Sequence, residues 1–316
     1  MGEKMKLIDI VVPCYNEEET VILFYHEISK TFKTITNDYN YNIIFINDGS
    51  NDNTLENIRN LSKMDDKVKY ISFSRNFGKE SALYAGLSNT KGDYVVIMDV
   101  DLQDPPSLLP EMIDILENSN YDIVATRRTT RSGEPPLRSF FAKMFYKLIN
   151  KVSQLELVDG ARDYRIMTRQ SVNALLELQE YNRFSKGLFN WIGFNTKWLS
   201  YENIERTAGE TSWSFWGLFK YSIEGIVAFT TVPLTISTVL GIIFSIIAFM
   251  LLIIILVRNI FFSDPVAGWT STICVILLLG GIQLLSIGIL GKYLEKTYTE
   301  IKHRPIYIEQ ESNINK

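Results

Sequence analysis

The sequence predicts an α/β fold with a mostly parallel sheet, followed by a C-terminal hairpin of two membrane-spanning helices. Three observations predict it. Short apolar, β-branched runs alternate with helix-spaced segments from residue 7 to residue 98. The polar clusters all follow the carboxyl ends of the apolar runs, where ligands bind in such sheets. Two long stretches near the C-terminus, residues 225–257 and 265–291, carry no charge at all.

Residues 7–12 form a first strand, ended by Pro13-Cys14-Tyr15-Asn16-Glu17-Glu18. The spacing over 20–34 is helical. Residues 41–46 form a second strand, closed by Asn47-Asp48-Gly49-Ser50-Asn51-Asp52-Asn53-Thr54, and 55–63 a helix. Residues 68–73 form a third strand before Ser74-Arg75-Asn76-Phe77-Gly78-Lys79-Glu80. A helix over 81–88 leads to a fourth strand, 94–98, and then to Asp99-Val100-Asp101-Leu102-Gln103-Asp104-Pro105-Pro106. A fifth strand is expected over 121–126. Residues 137–152 read as a basic amphipathic helix, with Arg138 and Lys143 among Phe140, Phe141, Phe145 and Ile149. Such a segment either lies in the membrane interface or packs on the core with a solvated cationic face.

Residues 232–257 and 269–291 are the expected spans, each longer than the roughly 20 apolar residues that cross a bilayer as a helix. The link 258–268 carries Arg258, whereas the tail 292–316 carries Lys292, Lys296, Lys302 and Arg304. The positive-inside rule then places the tail and the large domain, residues 1–210, in the cytoplasm. Trp213, Phe215, Trp216 and Phe219 in the amphipathic juxtamembrane stretch 211–231 suit an interfacial aromatic belt. No signal peptide is expected, because the apolar stretch after Lys6 is short and ends at Pro13.

Composition narrows the function. A net charge of −4 over 316 residues gives no sign of a nucleic-acid binder. Two cysteines, Cys14 and Cys274, make no disulfide framework, and two histidines leave little room for a zinc site or a histidine base. His26 reads as a surface residue. No Gly-x-Gly-x-x-Gly follows the first strand and no Walker loop is present, so a diphosphate has to be held by a metal and cationic side chains.

Asp99 and Asp101 carry that chemistry. Two carboxylates at i and i+2 after a buried strand repel each other and resist desolvation. A hard divalent cation, Mg²⁺ or Mn²⁺, removes that cost and shares its shell with substrate phosphates. The bland alternative is an acidic turn with Pro105 and Pro106 starting the next helix.

The segments 11–18, 47–54 and the Asp99/Asp101 pair resemble the family 2 glycosyltransferases of GT-A (Rossmann-like) fold. Residues 74–80, 99–106 and Asp163-Tyr164-Arg165, with the two spans, are similar to the bacterial polyisoprenyl-phosphate glycosyltransferases. The resemblance covers nearly the whole chain. It implies that Pro13, Tyr15, Glu17, Asp48 and Lys79 bind the donor nucleotide, and that Asp99 and Asp101, with Gln103 near the ion, hold the metal. It implies Asp163 as a base, or as a residue that orients acceptor or sugar; an ion pair of Asp163 with Arg165 is the structural alternative. Arg206 would lie near the phosphates, although Glu210-Thr211-Ser212-Trp213 departs from the usual loop ending. Arg127, Arg128 and Arg138, with Arg131 beside them, suit a lipid phosphate acceptor, since arginine forks match phosphate oxygens. Arg59 reads as an uninvolved surface arginine. Asp48 also suits a turn or a helix cap, and Glu18 and Glu19 a helix N-terminus.

The expected function is inverting transfer of a hexose, glucose from UDP-glucose by preference, to undecaprenyl phosphate at the cytoplasmic face of the plasma membrane. The partners implied are a nucleotide sugar, a polyprenyl phosphate and the bilayer, with a homo-oligomer (a tetramer) by resemblance. Other donors, namely UDP-N-acetylhexosamine, GDP-mannose or an amino-deoxy sugar, remain open, as does a non-catalytic scaffold or sugar sensor. A phosphate monoester is largely dianionic at pH 7 and attacks without a base.

Overall fold

The computed structural model describes residues 5–35, 38–129, 158–202, 226–262 and 269–314. Strands β1 (Lys6–Cys14), β2 (Tyr39–Asn47), β3 (Val68–Phe73) and β4 (Tyr94–Ile97) lie in the order β4-β1-β2-β3, all parallel. Helices α1 (Val21–Phe32), α2 (Thr54–Met64) and α3 (Lys79–Ser88) make the crossovers. These strands are covered on both faces, which is why they read as unbroken apolar runs. Ile8, Ile10 and Val12 of β1 pack with Phe24 and Ile28 of α1, while Val11 packs on the opposite face with Ala82 and Ala85 of α3.

The rest of the sheet is mixed. Helix α4 (Leu109–Asn118) leads to β5 (Ile123–Arg128), which takes in both Arg127 and Arg128. Strand β6 (Ala161–Thr168) then inserts between β4 and β5, antiparallel to both. Helices α5 (Arg169–Glu177) and α6 (Ser185–Trp191) precede β7 (Thr196–Tyr201), which pairs parallel with β5. A last strand, β8 (Glu309–Ser312), completes the order β7-β5-β6-β4-β1-β2-β3-β8. The antiparallel β6 matters for the site. Its Arg165 pairs with Ile97 at the end of β4, so residues 161–163 run past that end and meet Asp99.

Two long apolar helices precede β8, namely α7 (Val232–Phe262) and α8 (Trp269–Ile301). Both are long and apolar enough to cross a membrane, and among the described side chains large apolar groups point outward, as at Phe249 (63% exposed) and Leu284 (71%). The second helix continues past the expected span end at 291 to Ile301, and the chain beyond it forms a strand rather than a free tail. That strand, β8, joins the sheet antiparallel to β3. Near the end of α8, Glu300 accepts hydrogen bonds from the Tyr181 and Asn182 amides at 3.1 and 3.0 Å. Arg59 is therefore no bystander: its guanidinium forks onto Glu311 of β8 at 2.8 and 2.6 Å.

Candidate active site

The loops after β1, β2 and β3 form one wall. Asn16 and the 50–51 turn exchange hydrogen bonds: the Asn16 amide donates to Ser50 Oγ at 3.0 Å, and the Asn51 amide to Asn16 Oδ1 at 2.9 Å. The Glu17 amide donates to Thr54 Oγ1 at 2.8 Å, and Glu18 accepts from the Asn53 amide at 2.9 Å. Glu18 thus holds the second loop to the first. Asp48 is buried and directs both oxygens at the third loop, accepting from the Phe77 and Gly78 amides at 2.6 and 2.9 Å. Burial pushes its carboxyl up, and those two amides pull against that. Gly49 makes the approach feasible: at φ +68° a Cβ there would sit 2.4 Å from the Arg75 carbonyl carbon. Tyr15 is exposed and Pro13 and Glu17 are half-buried beside this wall.

The opposite wall is acidic. The Lys79 ammonium lies 2.6 Å from both Asp99 Oδ1 and Asp163 Oδ2. Sequence resemblance assigns Lys79 to the donor nucleotide; in the fold it bridges the ends of β4 and β6. Asp163 does not pair with the Arg165 guanidinium. Arg165 is buried and instead fixes the backbone, donating to the Asp163 and Arg162 carbonyls at 3.1 and 2.9 Å with its guanidinium 3.5 Å over the Phe189 ring. Burial lowers the Arg165 pKa to about 10. Burial alone would raise Asp163, but Lys79, then Lys186 and Arg165, hold its carboxyl well below the usual carboxylate range. Lys79 is raised in turn: burial opposes its charge, and Asp163 and Asp99 outweigh it.

The 99–104 segment turns sharply, with Leu102 at φ +56°. Asp101 is buried and accepts from the Gln103 amide at 3.2 Å. Asp104, fully buried, accepts from Arg162 Nε at 2.8 Å and from the Tyr201 hydroxyl. Sequence reasoning alone does not reach the roles of Asp104, Arg162 and Tyr201, or the backbone-pinning role of Arg165. Asp104 lies within the acidic 99–106 segment and Arg162 next to Asp163, so both carry a sequence signal; nothing in the sequence points to Tyr201.

Among the described residues no three Asp, Glu, His or Cys converge on one metal position. A cation here would need Asp99, Asp101, the Gln103 amide oxygen and substrate phosphate together, a pattern that suits Mg²⁺ or Mn²⁺. The donor set fits in that all are hard oxygens; a cation there would share Asp99 with the Lys79 ammonium, which lies 2.6 Å from its Oδ1. Arg127 is exposed and donates to Ser200 Oγ at 2.9 Å at the end of β5, with half-buried Arg128 beside it. Arg131, Arg138, Arg206 and the stretches 137–152 and 211–225 lie outside the described residues.

Residues 9–176 match the family model described as glycosyl transferase family 2. This chain belongs to glycosyltransferase family 2. Its relatives span nearly its full length. The CsbB protein of Bacillus subtilis (strain 168), whose name assigns it to the glycosyltransferases, is 45% identical over 98% of this chain and 93% of its own. The SfII prophage-derived bactoprenol glucosyl transferase of Shigella flexneri is 40% identical over 97% of this chain and 98% of its own. The prophage bactoprenol glucosyl transferase homolog of Escherichia coli (strain K12) is 40% identical over 95% and 97%. The family 2 chain thus carries its acidic pair, its mixed sheet and its two apolar helices in one polypeptide.

Proposed function

We propose that this family 2 enzyme transfers glucose from a nucleotide sugar, UDP-glucose by preference, to a polyprenyl phosphate, with inversion at the anomeric carbon. The observation that carries this reading is the full-length likeness to bactoprenol glucosyl transferases, set beside an acidic site at the strand ends. Pro13, Tyr15, Glu17 and Asp48 line the nucleotide side of the site. Asp99, Asp101 and Gln103 would hold Mg²⁺ or Mn²⁺, which supplies Lewis-acid stabilisation of the leaving diphosphate. Arg206 adds cationic charge there, and Arg127, Arg128 and Arg138 receive the lipid phosphate.

The protonation states favour a reaction without an enzymic base. Asp163, held anionic by Lys79, is a weak proton acceptor. The acceptor phosphate is its own nucleophile once its second proton is lost near pH 6. Asp163 and Lys79 orient the acceptor or the sugar hydroxyls, which is where rate is gained by positioning.

The test is incubation of membranes containing the protein with a panel of labelled nucleotide sugars. Label from UDP-glucose is expected in the lipid extract, released by mild acid. Incorporation from GDP-mannose or UDP-N-acetylhexosamine alone would replace the donor, and no incorporation from any donor would favour the scaffold reading.

The domain organisation is proposed as a cytoplasmic catalytic domain with both termini on its side and the link 258–268 outside. The pairing of β8 with β3 supports this, because it returns the C-terminal segment to the catalytic sheet. In a background with Cys14 and Cys274 replaced by serine, Ser263→Cys should react with an impermeant maleimide in intact cells, and Lys316→Cys only after permeabilisation. The reverse pattern would separate the site from the cytoplasmic nucleotide-sugar pool.

A further inference from the structure

The acidic turn that would carry the metal is held in shape from other strands. Leu102, between Asp101 and Gln103, sits at φ +56°, a conformation that a branched side chain disfavours and that persists only when neighbours impose it. Within the turn, the Gln103 amide donates to Asp101 at 3.2 Å. Two long-range partners add to that bond. Arg162, at the start of β6, donates from Nε to Asp104 at 2.8 Å and from Nη2 to Gln103 Oε1 at 3.3 Å. Tyr201, at the end of β7, donates its hydroxyl to the same Asp104 oxygen.

Asp104 is fully buried, and among the described residues its other oxygen, Oδ2, has no hydrogen-bond partner, as is also true of the Tyr164 hydroxyl. A buried carboxylate is tolerated only when an opposite charge is fixed beside it. Arg162 is that charge, and its side chain is largely shielded, at 16% exposed. One guanidinium therefore neutralises the anchor of the turn and grips the amide oxygen of Gln103. The backbone of Arg162 is itself pinned by Arg165 at 2.9 Å.

We propose that Arg162 is a positioning residue for the metal site: anchored on Asp104, it presents the Gln103 side chain and the 101–104 turn to the cation. The inference rests on the reading that Asp99, Asp101 and Gln103 hold a divalent cation. Arg162 acts through Gln103 and need not touch the donor. Partners that orient a metal ligand in this way commonly account for roughly 10- to 100-fold in metal affinity.

The test measures Mn²⁺ binding to the full chain in detergent, with saturating UDP, from the EPR signal of free Mn²⁺. Arg162→Met is expected to raise the Mn²⁺ half-saturation by about tenfold or more. Gln103→Ala should shift it to a similar extent, and the Arg162→Met/Gln103→Ala double variant should shift it no further than the larger single change, as expected for residues acting as one unit. Because Arg162→Met leaves Asp104 as an unpaired buried anion, Arg162→Met/Asp104→Asn serves as the second variant; it removes that charge and should keep the weakened Mn²⁺ binding. Arg162→Lys should restore only part of the affinity, since one ammonium cannot reproduce the two-pronged grip. Unchanged Mn²⁺ affinity in folded Arg162→Met/Asp104→Asn, or additive shifts with Gln103→Ala, would overturn the proposal. Absence of saturable Mn²⁺ binding in the wild-type chain would overturn the metal reading itself, and the two failures are told apart by the wild-type curve.

Discussion

Asp101→Asn should lower sugar transfer by about 1000-fold or more, and Asp99→Asn to a similar degree, with the fold retained. A loss of about 1000-fold corresponds to about 4 kcal/mol of transition-state stabilisation, the scale expected when a cation on a leaving diphosphate is lost. The two substitutions act through different local balances. Asp101 is buried in the turn, so asparagine keeps its volume and its acceptor for the Gln103 amide while removing a charge. Asp99 also faces the Lys79 ammonium at 2.6 Å, so Asp99→Asn leaves Lys79 with Asp163 alone. Initial rates of lipid glucosylation, with EDTA-treated wild type alongside and melting temperatures as the folding control, check both. Activity that survives EDTA and both substitutions would remove the metal from the mechanism.

Asp163→Asn should slow transfer by about 100-fold, the scale of a lost orientation, while the residual rate still follows the acceptor phosphate near pH 6. The reason is electrostatic. Burial favours the neutral acid, yet Lys79, Lys186 and Arg165 hold the Asp163 carboxyl well below its ordinary value, so it does not titrate in the working range. Stability depends on pH with the matching sign. A carboxylate depressed on folding contributes stability that is present above its ordinary pKa, about 4, and is lost as pH falls further toward its folded value. Lys79, raised on folding, contributes below about pH 10.4 and loses that contribution only as pH climbs past the ordinary lysine value toward its higher folded one. The pair is therefore intact across neutral pH. Lys79→Met should shrink the acid-side loss of stability, because burial then acts on Asp163 with less opposition, its carboxyl lies closer to the ordinary value, and less is lost on protonating it. Melting temperature against pH, and pH–rate profiles for wild type and Asp163→Asn, read both effects. A dead Asp163→Asn enzyme that still binds UDP-glucose, with a wild-type profile that tracks a group other than the phosphate, would make Asp163 the base.

Arg59 reads in sequence as an isolated surface arginine on α2, but Glu311 meets it from a strand 252 residues later. Nothing local encodes that pair, because the sequence separation gives no periodicity to detect. Lys63, at the exposed end of α2, is the better-placed surface cation for a control substitution.

Local chemistry determined much of this protein. The four parallel strands were legible because burial on both faces demands unbroken apolar runs, and such runs stand out between helix-spaced segments. The two long apolar helices were legible because hydrocarbon excludes charge over a length that few soluble helices reach. Asp99 and Asp101 stood out because two carboxylates at i and i+2 after a buried strand are costly to hold together. Tertiary structure decided the rest. The reversal of β6 is set by long-range pairing with β4 and β5, and it alone brings Asp163 and Arg162 to the end of β4. Lys79 finds Asp163 across 84 residues, and Tyr201 finds Asp104 across 97. Each is an electrostatic match made only after the chain has folded. A sequence shows which side chains are costly to bury; the sheet order decides which opposite charge arrives to offset that cost.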